Sequence, residues 1–283
     1  MRKEALVTIV DSNTNNPGSG IRDEDYNPSK RYEEEAIRCF TAWRENGGQF
    51  KNIPIYALCI TGRKLQDATI QKFKDLNVTF LDHYIPEAND YQSGYFYVPI
   101  GCAWLEENIS EDFLIHIDLD MSLIKEPPSD FFYFDRNKYI AKIGIIPTPD
   151  RSAPNNKKHA YNMGNYPINF NTCIITSWKD DKFYKLWYNK IKNNVPKRSD
   201  CNNDRIFSQW EEHIVDVMHF DDNIPIEPVD KFQVGYMWDK IDSLTNKEFE
   251  KIYFFHDHIG DKYDIRTRIE YAKRKMKNNG CIK

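Results

Sequence analysis

The chain has 283 residues and a formal net charge of −4, with 40% apolar and 29% charged residues. That length and balance suit one large α/β domain or two small ones, with a sizeable core, and exclude wholesale disorder. The mild acidity argues against a nucleic-acid partner, because phosphate neutralisation needs a basic surface. No run approaches 18 consecutive apolar residues, so no membrane span is expected.

Ala5 to Val10 is a short β-branched run followed by polar residues from Asp11 to Gly18, which predicts a buried strand and a long loop. Tyr32, Ala36, Phe40 and Trp43 give helical spacing over 31–46, and Ile53 to Ile60 is a second strand. Leu65, Ala68, Phe73 and Leu76 mark a helix over 65–76, Val78 to Leu81 a third strand, and 94–108 a helix entered through Pro99. Phe113 to Ile117 is the fourth strand. This alternation predicts a parallel sheet with crossover helices, a nucleotide-binding type of half over about 1–125.

The second half, about 126–265, has another texture. Strands are expected at 139–146, 170–176 and 251–255, a long polar loop at 147–167, and helices at 181–192 and 203–213. No internal repeat or low-complexity linker divides the chain, so residues 1–283 read as one domain with two lobes. The tail over 266–283 carries seven Lys or Arg residues, a solvated helix or a peripheral contact with an anionic membrane. Six cysteines stand singly, without a CxxC pair; they read as buried hydrophobes and, with no signal-peptide pattern, point to a cytoplasmic setting.

The segment Ile117-Asp118-Leu119-Asp120-Met121 carries the chemistry. Strand alternation puts Asp118 and Asp120 on one face at the end of a buried strand, where two carboxylates repel unless a cation lies between them. Hard ions such as Mn²⁺ or Mg²⁺ take oxygen ligands of this kind and leave positions for a substrate. Between Asp75 and Ile124 there is no Lys or Arg in 50 residues, against ten Asp and Glu. A diphosphate held at this edge would need the metal as its counter-charge.

Asp118-Leu119-Asp120 with the trailing Leu123 to Pro127 resembles the "hDxDhhhhkxP" segment of the GT-A glycosyltransferases, glycogenin-like enzymes and their relatives. Phe170-Asn171-Thr172-Cys173 is similar to their "FNTG" strand, with Cys173 in place of glycine; Asn203-Asp204 stands at their "DQ" helix start; and His256-Asp257-His258 to Lys262 resembles their late histidine motif without its Pro-Trp ending. The resemblance implies the GT-A α/β fold, a mostly parallel sheet flanked by helices. It implies a hexosyltransferase using Mn²⁺ or Mg²⁺ and a nucleotide-sugar donor, a UDP-sugar foremost, with a glycan or glycoprotein hydroxyl as acceptor. Asp118, Asp120, His256 and His258 become the metal candidates, and Thr8, Val10, Asp118, Asn171 and Lys262 the donor-binding ones. Asp204 is the catalytic candidate, ahead of Asp180 and Asp181, and "FNT" leans towards retention. The basic residue usual on the helix before the DxD strand is missing. Tyr236 and Trp238, and the Phe131 to Phe134 cluster, are candidates for an acceptor platform. The competing readings are a sugar-nucleotide pyrophosphorylase, from Gly18-Ser19-Gly20-Ile21-Arg22, and an inactive sugar-binding relative.

Overall fold

A computed structural model of the chain describes residues 3–11, 28–91, 96–146, 166–195, 210–229, 234–236 and 251–256. Strands β1 (Glu4–Ile9), β2 (Ile55–Cys59), β3 (Val78–Asp82) and β4 (Phe113–Ile117) alternate with helices α1 (Pro28–Asn46), α2 (Asp67–Asp75) and α3 (Tyr97–Asn108). After β4 come β5 (Met121–Leu123), β6 (Ala141–Ile146), β7 (Asn169–Trp178), α4 (Phe183–Asn194), α5 (Trp210–Phe220), β8 (Ile226–Pro228), β9 (Val234–Tyr236) and β10 (Phe254–His256).

Seven strands form the main sheet in the order β3-β2-β1-β4-β7-β6-β8. The first four are parallel, as the crossover pattern predicts. β7 runs antiparallel to both β4 and β6, and β6 and β8 are parallel. Side-chain alternation along β1 builds a core on each face: Ala5, Val7 and Ile9 pack with α3, α4 and α5, while Leu6 and Val10 pack with α1 and α2. Gly101 is what lets α3 lie so close to β1, since a Cβ there would sit 2.4 Å from Ile9 Cδ1. A smaller sheet, β5-β10-β9, joins residues just past β4 to the end of the described chain.

Two buried glutamates tie helices together. Neither α2 nor α4 has a side-chain cap of its own at its N-cap residue, Gln66 or Lys182. Glu33 of α1 accepts bonds from Gln66 N and Thr69 Oγ1 and pairs with Arg63. Glu106 of α3 accepts from Tyr184 N at 3.2 Å and Lys185 N at 3.1 Å. A carboxyl group from a neighbouring helix thus takes the N–H of the residue before α2 and, at α4, two of the first free N–H groups.

Burial pushes the Glu106 carboxyl up to about 7, against the pull of those two N–H groups. The folded chain therefore holds a proton that the unfolded chain, titrating near 4.5, has released. Stability from this group is full below that unfolded value and falls as pH rises to about 7. The span corresponds to about 3 kcal/mol. Glu106→Gln is expected to flatten the decline seen by urea unfolding between pH 5 and pH 8. An unchanged slope would place the pH dependence elsewhere.

The sequence-based elements hold for the first half, with α3 beginning at Tyr97 rather than 94. The helix expected over 203–213 is described from Trp210 and runs on to Phe220, and residues 203–209 lie outside the described chain. The late strand is Phe254–His256 rather than 251–255. β5, β8 and β9, three residues each, are too short to leave a period in the sequence. Cys39, Cys59, Cys102 and Cys173 are free and buried, as hydrophobes are.

Candidate active site

The parallel strands β1, β2 and β4 end together at Ile9, Cys59 and Ile117, and the candidate site is built on that edge. Asp118 and Asp120 do not share a strand face through alternation. β4 stops at Ile117, and Met121 N closes a turn by donating to Asp118 O at 3.1 Å. The aspartates therefore bracket Leu119 in a tight turn between β4 and β5. Asp118 N is held by Cys173 O of β7 at 2.9 Å, so the antiparallel neighbour anchors the turn. The strand ends there because the next residue that pairs in a sheet, Met121, joins β10 rather than β1.

The Asp118 carboxylate is about a third exposed, and its Oδ1 lies 3.2 Å from Nε2 of buried His116. The other ring nitrogen, Nδ1, is 3.2 Å from Val7 O, an atom that only accepts. The ring thus sits between two acceptors, Val7 O and the Asp118 carboxylate, within hydrogen-bond distance of each. His116 is a neighbour of Asp118 that the linear reading passed over, although it stands only two positions before it, next to last on β4. Asp120 carries its Oδ1 into the interior. Cys39 of α1 lies below the turn, Sγ to Asp118 O at 3.9 Å. Burial, with the charges of Asp120, Asp118 and Glu35, pushes that thiol up to about 12 against the opposing pull of Arg38, so it is inert.

The other candidates fall as follows. His256 stands opposite Met121 in the β5–β10 register, which brings its backbone beside Asp120. Tyr236 ends β9 and pairs in register with His256 on the other side of β10. Asn171 of β7 is buried two residues before Cys173; its Nδ2 donates to Glu212 Oε1 at 2.6 Å and its Oδ1 accepts from Cys173 N at 3.1 Å. Glu212, a carboxylate that α5 carries to this edge, had no motif to reveal it. Gly144 of β6 pairs with Asn171, and a Cβ there would come within 2.8 Å of Asn171 O, so β6 and β7 approach closely beside this amide. Thr8 is buried and donates to Ile117 O at 3.0 Å, and Val10 packs its side chain in the core below α1. Asp204, His258, Lys262 and Trp238 lie outside the described residues, as does Gly18 to Arg22. Asp181 is engaged by Arg136 at 2.9 Å in the turn before α4, while Asp180 is exposed. Phe131 and Phe132 form no sugar platform. They are core residues, packed on Phe50 and Phe254.

Among the described residues no three His, Cys, Asp or Glu side chains converge on one point, so Asp118 and Asp120 stand as a pair. A pair of carboxylates at a half-buried turn is a hard-oxygen donor set, which fits Mn²⁺ or Mg²⁺ with room for further ligands.

No family model matches the sequence, and no curated protein matches it. Solved structures do match. The chain is similar to the galactosyltransferase LgtC, solved in complex with donor and acceptor sugar analogues: TM-score 0.59, 10% identity, 99% of this chain and 96% of that one. The chain has the GT-A glycosyltransferase fold. WbbM, a bifunctional glycosyltransferase, is similar with TM-score 0.58 and 10% identity over 96% of this chain and 49% of its own. GlyE of Streptococcus pneumoniae, a glycosyltransferase, is similar with TM-score 0.51 and 9% identity over 99% of this chain and 64% of its own. At such identities the shared property is the fold. In this GT-A fold the Asp118–Asp120 turn occupies the carboxyl end of the last parallel strand, where ligands of open α/β sheets bind. Among the described residues no helix is long and apolar enough to cross a membrane.

Proposed function

We propose that the chain is a metal-dependent glycosyltransferase that moves a hexose from a nucleotide-diphosphate sugar, a UDP-sugar foremost, to a hydroxyl on a glycan or glycoprotein. The observation that carries this reading is the Asp118-Leu119-Asp120 turn, with His116 behind it, at the ligand edge of a GT-A fold. Asp118 and Asp120 hold the metal, with His256 or His258 as a third ligand. When bound, Mn²⁺ or Mg²⁺ neutralises the charge that develops on the diphosphate as the sugar C1–O bond breaks.

The chain's own residues do the rest. His116 keeps the Asp118 carboxylate from turning away, so one of its oxygens remains directed to the open side. Thr8 and Val10 form the floor at the end of β1. Asn171, fixed by Glu212 and by Cys173 N, faces the donor, and Lys262 meets its phosphates. Asp204 positions the donor sugar or takes the acceptor proton; the "FNT" likeness favours retention.

The test is titration calorimetry of UDP with and without Mn²⁺, alongside hydrolysis of a panel of UDP- and GDP-sugars. UDP is expected to bind at least about tenfold tighter with saturating Mn²⁺, a coupling of roughly 1.4 kcal/mol, and to tighten Mn²⁺ by the same factor. Metal-independent UDP affinity together with no sugar release would overturn the proposal. Pyrophosphate-dependent release of a nucleoside triphosphate would identify a pyrophosphorylase instead.

A further inference from the structure

Arg38 lies on α1 beside the aspartate turn. Its Nε and Nη2 are buried, and among the described residues they meet no hydrogen-bond acceptor. A guanidinium stays charged at any relevant pH, and leaving two of its buried N–H groups without an acceptor is unfavourable. Such a group is retained where an anion completes it.

Its position tells which anion. Arg38, Ala42 and Asn46 follow one another at intervals of four along one flank of α1. Asn46 donates to Leu123 O at 2.8 Å, so this flank runs along β5. Cys39, next to Arg38, touches the main chain of Asp118, which sets the other end of the flank at the turn. None of the ion pairs among the described residues joins Arg38 to either aspartate. A charged fork thus stands beside two carboxylates without pairing with them.

We infer that Arg38 binds the terminal phosphate of the donor's diphosphate, next to the metal held by Asp118 and Asp120. The inference rests on the donor reading above and adds to it the cation that α3 lacks. Guanidinium N–H groups match phosphate oxygens two at a time, and the group formed when C1–O breaks is the more highly charged one. Arg38 therefore holds the leaving group and contributes more as its charge grows.

Titration calorimetry on the full chain with saturating Mn²⁺ tests this, using UDP, UMP and inorganic pyrophosphate against wild type, Arg38→Met and Arg38→Lys. Arg38→Met is expected to weaken UDP and pyrophosphate about 30-fold and UMP less than threefold. Arg38→Lys should recover part of the loss, since it keeps the charge and loses the fork. The melting temperature of Arg38→Met without nucleotide should equal or exceed that of wild type, because two buried donors without an acceptor have gone. Unchanged UDP affinity in Arg38→Met overturns the inference, and so does an equal loss for UMP and UDP. A marked fall in melting temperature also overturns it, since the guanidinium would then be structural. Wild type that binds none of the three probes refutes the donor reading itself, whatever the variants do.

Discussion

Asp118→Asn and Asp120→Asn are each expected to lower kcat by about a thousandfold or more, roughly 4 kcal/mol of transition-state stabilisation, while the fold survives. Asparagine keeps the shape of each side chain and removes the charge that a divalent ion requires. The two variants should differ in stability. In Asp118→Asn the new amide retains an oxygen beside His116 Nε2, but the charge facing that buried ring is lost. In Asp120→Asn the change relieves repulsion between two nearby carboxylates, so its melting temperature without metal should match or exceed that of wild type. Circular dichroism melts and single-turnover assays on both variants decide this. Near-normal turnover in either would remove the metal assignment.

Trp43→Ala is expected to destabilise the whole chain by about 4 kcal/mol, or roughly 10 °C in melting temperature. Trp43 is fully buried on α1, donates to Phe50 O at 2.9 Å and packs on Phe132, with ring centroids 5.6 Å apart. Phe132 in turn meets Phe254 at 6.2 Å, so one aromatic cluster joins the first half, the 131–134 segment and the late strand β10. Truncation removes this anchor and leaves the Phe50 carbonyl without its donor. If residues 1–283 form one domain, both halves lose structure in a single transition. Urea unfolding followed by tryptophan fluorescence and far-UV circular dichroism should give coincident curves, shifted together in the variant. Two separate transitions, only one of them moved by Trp43→Ala, would mean that the halves have independent cores.

The order β1-α1-β2-α2-β3-α3-β4 is legible in the chain because each element leaves its own local period. Alternating or continuous apolar runs mark the strands, and spacing of three or four residues marks Tyr32, Ala36, Phe40 and Trp43. Asp118 and Asp120 are legible for a related reason: carboxylates directly after a largely apolar strand have no packing role. The geometry that joins them was not. Whether Asp118 continues a strand or opens a turn depends on where Met121 finds a partner, and that partner, His256 on β10, is more than a hundred residues away.

The same distance explains what the linear charge pattern concealed. Fifty residues without Lys or Arg suggest a site with no cation of its own, yet a sheet edge gathers side chains from every element that ends there. Helix α1 brings Cys39, with Arg38 next to it, to the turn from 79 residues upstream, and α5 brings Glu212 to Asn171 from 41 residues downstream. Glu33 and Glu106 read as ordinary charged positions on α1 and α3, and only the packing of those helices against α2 and α4 makes them caps. Local order in this protein follows from the spacing of apolar residues, which the sequence states outright. The chemistry of its site depends on which carboxylates, amides and guanidinium groups meet across the sheet edge, and only the closure of the tertiary structure decides that.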